Sequence, residues 1–316
     1  MNVDVAQSTA SFLATFETIS FSRPEEIELS VQIASAVQAD NGRFSSDKIV
    51  GVFVRSARSG LAEVVKLFLT FNRTLVNVID SRGETALIGA AYNRFIRTVK
   101  ILIDAGADVN QYNRHGTTAL LSAIPSNRII DQLLAAGADI DATDRHGQTL
   151  FLLAVLLRRR WVIDHLVTVG ANLEKANPRG DRPLHIAARG ADAHIVDRLL
   201  VAGVNVDVAN VNGETPLYQA IHKGNNNIVV QLLVSGAQVT PNIIAAASDS
   251  GSAIRPILKR YFELMCLINI ALLLRPLNLP VLATYTIFRH ITSHLSHTVS
   301  RYCAWNLLAT LKHIQS

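Results

Sequence analysis

The chain has 316 residues, 49% of them apolar and 17% charged, a balance that favours a core-forming protein and excludes an intrinsically disordered one. The net charge of +5 is unevenly placed: the first 250 residues hold 23 Lys and Arg against 24 Asp and Glu, and the last 66 hold 7 against 1. Only two cysteines are present, Cys266 and Cys303, which excludes a disulfide framework and points to an intracellular, cytoplasmic site, or to host-cell cytoplasm if the chain is a secreted effector.

In chain order, residues 1–20 lack the basic n-region and long apolar h-region of a secretory signal and carry no clear helical pattern. The segment SRPEEIELSVQIASAVQA then reads as one helix, with Ser22 as N-cap, Pro24 in the first turn, and Glu25, Glu26 and Glu28 at the positive end of the helix dipole. This helix is expected to cover the unit on its C-terminal side. That unit, the first and an atypical one, begins near Ser46 and contains SARSGLAEVVKLFL.

From residue 80 to 216 one phrase occurs five times. Turns run from Asp80 to Gly83, Asn113 to Gly116, Asp144 to Gly147, Asn177 to Gly180 and Asn210 to Gly213, and each is followed two residues later by an apolar hexad. The hexads are TALIGA, TALLSA, TLFLLA, RPLHIA and TPLYQA, and the Gly-to-Gly steps are 33, 31, 33 and 33 residues. Such a period means stacked copies of one supersecondary unit. Asp or Asn at the turn start accepts backbone hydrogen bonds, Gly supplies the positive φ, and Thr at the hexad start suits a helix N-cap. Alanines such as Ala90, Ala123, Ala154, Ala187 and Ala220 keep that first helix thin, so that copies approach closely. A second helix with apolar residues at helical spacing, such as Ile195, Val196, Leu199 and Leu200, ends at a Gly-led GAD, GAN, GVN or GAQ.

These motifs resemble the ankyrin-repeat family, with the best agreement from Asn177 to Ala209. The resemblance implies an all-α solenoid of helix-turn-helix units with finger loops over residues 46–265, about seven units with degenerate first and last members. An N-terminal segment, 1–45, precedes it and a basic, apolar helical tail, 266–316, lies after it. It also implies a binding surface on the concave side: fingertip residues Arg82, Arg114, His115, Arg145, His146 and Arg179, and helix-end residues Tyr92, Asn93, Leu157, Arg158, Arg189, His222 and Lys223. Arg82, Arg114, Arg145 and Arg179 place a cation on four successive fingers, joined by Arg158, Arg189 and Lys223 at helix ends, so the implied partner is a protein with an acidic contact surface. His185 matches the family's structural histidine, which bonds between neighbouring repeats.

The tail contains an apolar stretch, 264–288, interrupted by Arg275, Pro276 and Pro280, and neither half reaches the roughly 20 residues that span a bilayer. This disfavours membrane anchoring by the tail without excluding it. His290, His294 and His297 share one helix face but have no acidic or thiol companion, so no metal is expected. Leu279-Pro280 and the later VSRYCAW weakly resemble an F-box, which implies an alternative role as a ubiquitin-ligase substrate receptor whose tail docks the adaptor subunit. No P-loop, GxGxxG, GxSxG, HExxH or CxxC occurs, and the expectation is a non-catalytic scaffold without cofactor or nucleic acid.

Overall fold

The computed structural model describes residues 2–21, 24–40, 46–124 and 126–249, with residues 254, 256–258, 260 and 261 beyond them. The chain divides into two units, Met1–Ser250 and Gly251–Ser316, and in the second the described residues are helical. Ser22, both cysteines, the 264–288 stretch, the three tail histidines and the F-box-like segment lie outside the described residues.

Unit one is built from helix pairs. After α1 (Asn2–Glu17) and α2 (Pro24–Ala39) come α3 (Asp47–Arg58) with α4 (Ala62–Phe71), α5 (Ala86–Tyr92) with α6 (Ile96–Asp104), and α7 (Ala119–Ser122) with α8 (Asn127–Ala135). Three further pairs are α9 (Leu150–Leu156) with α10 (Arg160–Thr168), α11 (Pro183–Gly190) with α12 (Ala193–Val201), and α13 (Pro216–His222) with α14 (Asn226–Val234), before α15 (Pro241–Asp249). Odd-numbered helices from α3 onward form an inner layer and even-numbered ones an outer layer, and they pack on their counterparts in the next pair except at the step from α7 and α8 to α9 and α10, where contact is slight. Among the described residues there is no strand, only isolated bridges between Ile79 and Thr85 and between Tyr112 and Thr118.

Local chemistry starts each inner helix. The hydroxyls of Thr85, Thr118, Thr149 and Thr215 accept hydrogen bonds from the amides of Ile88, Leu121, Leu152 and Tyr218 at 3.1–3.3 Å, a cap worth about 1 kcal/mol each. Arg182 has no such hydroxyl, and His185 Nδ1 accepts from the Arg182 amide at 3.2 Å instead. Small residues on the inner helices, including Ala86, Ala90, Ala119, Ala154, Ala188 and Ala220, are buried where neighbouring helices meet. Large apolar groups come from both layers, Leu87, Leu120, Phe151 and Leu217 from inner helices and Leu102, Ile129, Leu133, Leu166, Leu199 and Leu232 from outer ones, each buried and contributing about 2 kcal/mol by transfer out of water.

Repeats are also tied along a second line that the sequence pattern does not announce. Side-chain oxygens of Asn77, Asn110, Asp141, Glu174 and Asp207 accept from the amides of Asp108, Asp139, Asn172, Asn205 and Gln238, each in the next copy, at 2.7–3.0 Å. Every loop after an outer helix from α6 onward is thus fixed by its predecessor.

The N-terminal end differs from expectation. Besides α2, which packs on α3, residues 2–17 form α1, which packs on α4. Phe12 is fully buried, with ring centroids 4.9 Å from Phe68 and 5.4 Å from Phe71, and Phe16 stacks on Phe12 at 5.9 Å. The cap is therefore a helix pair that covers both layers of the first repeat. Its outer helix precedes its inner one in the chain, the reverse of the order in the repeats. The pattern in residues 1–20 is too thin to show this because Phe12 and Phe16 stand among Ser, Thr and Ala.

Candidate functional site

Five fingers project from unit one, and their shape comes from their first residue. The Oδ1 atoms of Asp80, Asn113, Asp144, Asn177 and Asn210 each accept from the amides two and four residues later, at 2.8–3.0 Å. This pair of hydrogen bonds holds both tip residues in one conformation in every finger.

Successive fingers then stack. A Cβ placed on Gly83 would lie 2.2 Å from Arg114 Cγ, and one on Gly180 would lie 2.8 Å from the Val211 amide nitrogen, so the close approach itself requires glycine as well as the positive φ. Backbone bonds from the Arg145 amide to His115 O at 3.2 Å and from the Val211 amide to Arg179 O at 3.1 Å join the tips directly. The first tip position (Arg114, Arg145, Pro178, Val211) thus lies against the preceding finger, and the second (Arg82, His115, His146, Arg179, Asn212) does not.

All six predicted fingertip residues are exposed, but their arginines are staggered. Arg82 and Arg179 occupy the second position, whereas Arg114 and Arg145 occupy the first, with their stems along the neighbouring finger. The guanidinium groups of all four have no carboxylate partner among the described residues. That separates them from Arg58, Arg97, Arg160, Arg182 and Arg198, which are paired with Glu84, Glu63, Asp192, Glu174 and Asp164.

Helix-end residues behave less uniformly. Tyr92 and Leu157 are 62% and 51% exposed. Asn93 Nδ2 donates to Gly89 O at 2.9 Å, closing its own helix end. Arg158, in the left-handed region at φ 54°, donates to Gly190 O of the next repeat. Arg189 is half-buried and pairs at 3.1 Å with Asp181, a fully buried carboxylate that also accepts from Asn210 Nδ2 at 2.9 Å. Its charge is matched inside the stack. His222 stacks on Tyr218 with centroids 6.2 Å apart, and Lys223 is exposed.

His185 is buried, and its Nε2 lies 3.0 Å from Glu214 O in the next repeat. Since Nδ1 accepts from the Arg182 amide, Nε2 carries the proton and donates. Burial is the main cause that lowers its pKa below the ordinary 6.5, a shift opposed by the bond to Glu214 and the nearby Asp181 charge and assisted by Arg182. The residue joins two repeats, as the sequence implied. Exposed apolar residues that the pattern did not single out include Ile79 and Tyr112 beside the fingers, Leu156, 56% exposed, at the end of α9, and Val201 and Val234 at the ends of outer helices. Leu156 was legible only as one more leucine in an apolar run.

Among the described residues no group of His, Cys, Asp and Glu is placed to hold a metal ion, and no helix is long and apolar enough to cross a membrane. Residues 53–144 and 150–243 each match the family model described as ankyrin repeats (3 copies). A crystal structure of an ankyrin repeat domain from Acinetobacter baumannii AYE is 30% identical with a TM-score of 0.55, over 59% of this chain and 98% of that one. No curated protein matches the chain.

Proposed function

Because the chain belongs to the ankyrin-repeat family, whose members are generally protein-protein interaction modules, we propose that it is a non-catalytic cytoplasmic scaffold that holds an acidic surface of a partner protein against its fingertips and inner-helix ends. The observation that carries this reading is the division among the arginines. Arg58, Arg97, Arg160, Arg182, Arg189 and Arg198 are paired with carboxylates of the stack, whereas Arg82, Arg114, Arg145 and Arg179 sit on four successive fingers, exposed and without a carboxylate partner among the described residues. An exposed arginine on a rigid loop with no fixed counter-charge attracts an incoming anion and presents a planar fork that suits a carboxylate.

The experiment is affinity capture with the full chain, followed by titration of the captured partner against the Arg82→Glu/Arg145→Glu/Arg179→Glu variant. Affinity should fall by about 100-fold, at roughly 1 kcal/mol per reversed contact, and wild-type binding should weaken as salt rises. Equal affinity of wild type and variant, with both insensitive to salt, defeats the reading.

A further inference from the structure

Outer helices of neighbouring repeats share a polar tie that is present in the middle of the stack and replaced at its N-terminal end. The fifth residue of α8 and of α10 is an aspartate, and each meets the sixth residue of the next outer helix: Asp131 lies 2.8 Å from His165 Nε2, and Asp164 Oδ1 accepts from Arg198 Nε at 2.6 Å. In α4 and α6 the fifth residues are Lys66 and Lys100, and the sixth residue of α6 is Ile101. The acid of the tie has become a cation, and its cation a hydrocarbon. Both lysines are exposed, and neither has a carboxylate partner among the described residues.

These three residues line one groove of about 490 Å³ between α4 and α6. Contacts between the two repeats bound it at each end. Arg97, in the first turn of α6, pairs with Glu63 in the first turn of α4, and Arg73, past the end of α4, donates from Nε to Ala105 O at the end of α6 at 3.1 Å. Between these bridges stand Lys66 and Lys100, one from each helix, with Leu69, buried, and Ile101, half-buried, beside them. Asp104 is the one carboxylate in a lining that holds four cations.

The field of the groove is positive, so its ligand is an anion. Hydrocarbon decides which anion: Leu69, Ile101 and the lysine stems favour a ligand that carries apolar side chains as well as charge, as an acidic polypeptide does and a bare phosphate does not. A bilayer surface is too flat to enter a recess bridged at both ends. The chain's own last 66 residues, with 7 Lys and Arg against 1 Asp and Glu, have the wrong sign to fill it.

We propose that this groove is a second protein-binding site, on the outer layer, and that it receives an acidic segment with apolar side chains at its centre. The fingers lead into the inner layer, so the two surfaces share no residue and the groove does not rest on the fingertip reading. One stack with both sites joins two acidic partners.

The probe is a synthetic peptide of roughly twelve residues, glutamate-rich with a central Leu-Leu pair, read by fluorescence anisotropy. It is titrated against the full chain carrying Arg82→Glu/Arg145→Glu/Arg179→Glu, which removes fingertip cations and leaves the groove as it is. Binding should persist there and weaken about tenfold when Lys66→Glu/Lys100→Glu is added; Lys66→Gln/Lys100→Gln, which sets no new acid beside Glu63 or Asp104, should weaken it about threefold. A peptide with Ser-Ser in place of Leu-Leu should bind about fivefold more weakly than the parent. Both lysines are exposed, so folding is retained, and circular dichroism checks it. Absence of binding to the fingertip variant overturns the groove assignment and, if the wild type binds, leaves the fingertip reading standing. Binding that both lysine variants leave intact overturns it as well. Equal affinity for the Leu-Leu and Ser-Ser peptides, or lysine-dependent binding of inorganic tripolyphosphate or phosphatidylserine vesicles without peptide binding, overturns the choice of a polypeptide ligand.

Discussion

Thr98 occupies a core position of α6: it is 1% exposed, and its hydroxyl has no hydrogen-bond partner within the protein. The residues around it in the chain, Val99 and Leu102, are fully buried hydrocarbons. Burying a hydroxyl without a partner costs about 1–3 kcal/mol, and valine has the same shape without the polar atom. Thr98→Val should therefore raise stability by about 1 kcal/mol, seen as a higher urea midpoint at unchanged slope. No gain would mean that the hydroxyl is satisfied in solution, for instance by an ordered water. The same accounting of partners separates the predicted binding residues. Arg189 and Arg158 look like free helix-end cations in the sequence, but Asp181 and Gly190 O take them up, whereas the fingertip arginines remain available. Nothing in the local sequence marks that difference, since Asp181 stands where the other fingers carry Glu84, Thr117, Gln148 and Glu214.

Turns between inner and outer helices repeat one backbone conformation with unequal residues. Gly60 and Gly224 take the left-handed position at φ 77° and 71°, and Arg94, Arg158 and Ala191 take it at 65°, 54° and 60°. A side chain there costs about 1–2 kcal/mol, and glycine gives back about 0.5–1 kcal/mol in lost chain entropy, so Ala191→Gly should stabilise by roughly 0.5 kcal/mol. Ala191 is exposed and caps α11, which makes it the cleanest site; destabilisation in thermal melts would contradict the argument. At this scale the sequence was most legible. Thr caps, finger turns and terminal glycines all act within four residues, and five copies in phase make each of them visible. Features that depend on contact between copies were not readable. The bond from the Asp139 amide to Asn110 spans 29 residues, and the packing of Arg114 on Gly83 depends on an atom that glycine lacks. Likewise α1 shows in the sequence as little more than Phe12 and Phe16, and its partners Phe68 and Phe71 lie more than fifty residues away.

A solenoid is held together by nearest-neighbour interfaces, so a weak junction sets where the whole stack opens. The junction between the fourth and fifth fingers depends on a buried polar group more than the others do. His185 bonds the Arg182 amide at 3.2 Å and Glu214 O at 3.0 Å, and Asp181, Asn210, Glu214 and Gln219 surround it with a network of their own. Only the neutral imidazole fits, because a proton on Nδ1 would face the Arg182 amide donor. With the folded pKa lowered from 6.5, chiefly by burial, both folded and unfolded chains are neutral at this site above that value and stability is at its full level. As pH falls below 6.5 the unfolded chain takes up a proton that the folded one refuses, so stability declines until the folded pKa is reached, by at most about 1.4 kcal/mol per pH unit. Urea midpoints of the wild type should therefore drop between about pH 7.5 and 5.5 by more than those of His185→Gln, which starts lower at the upper pH but lacks the titrating ring. Parallel pH profiles for the two proteins would show that protonation elsewhere governs the acid limb. A steeper wild-type profile would instead make the interface between these two repeats the place where acid first loosens the scaffold, leaving the first four fingers folded at a pH that has already detached the last one.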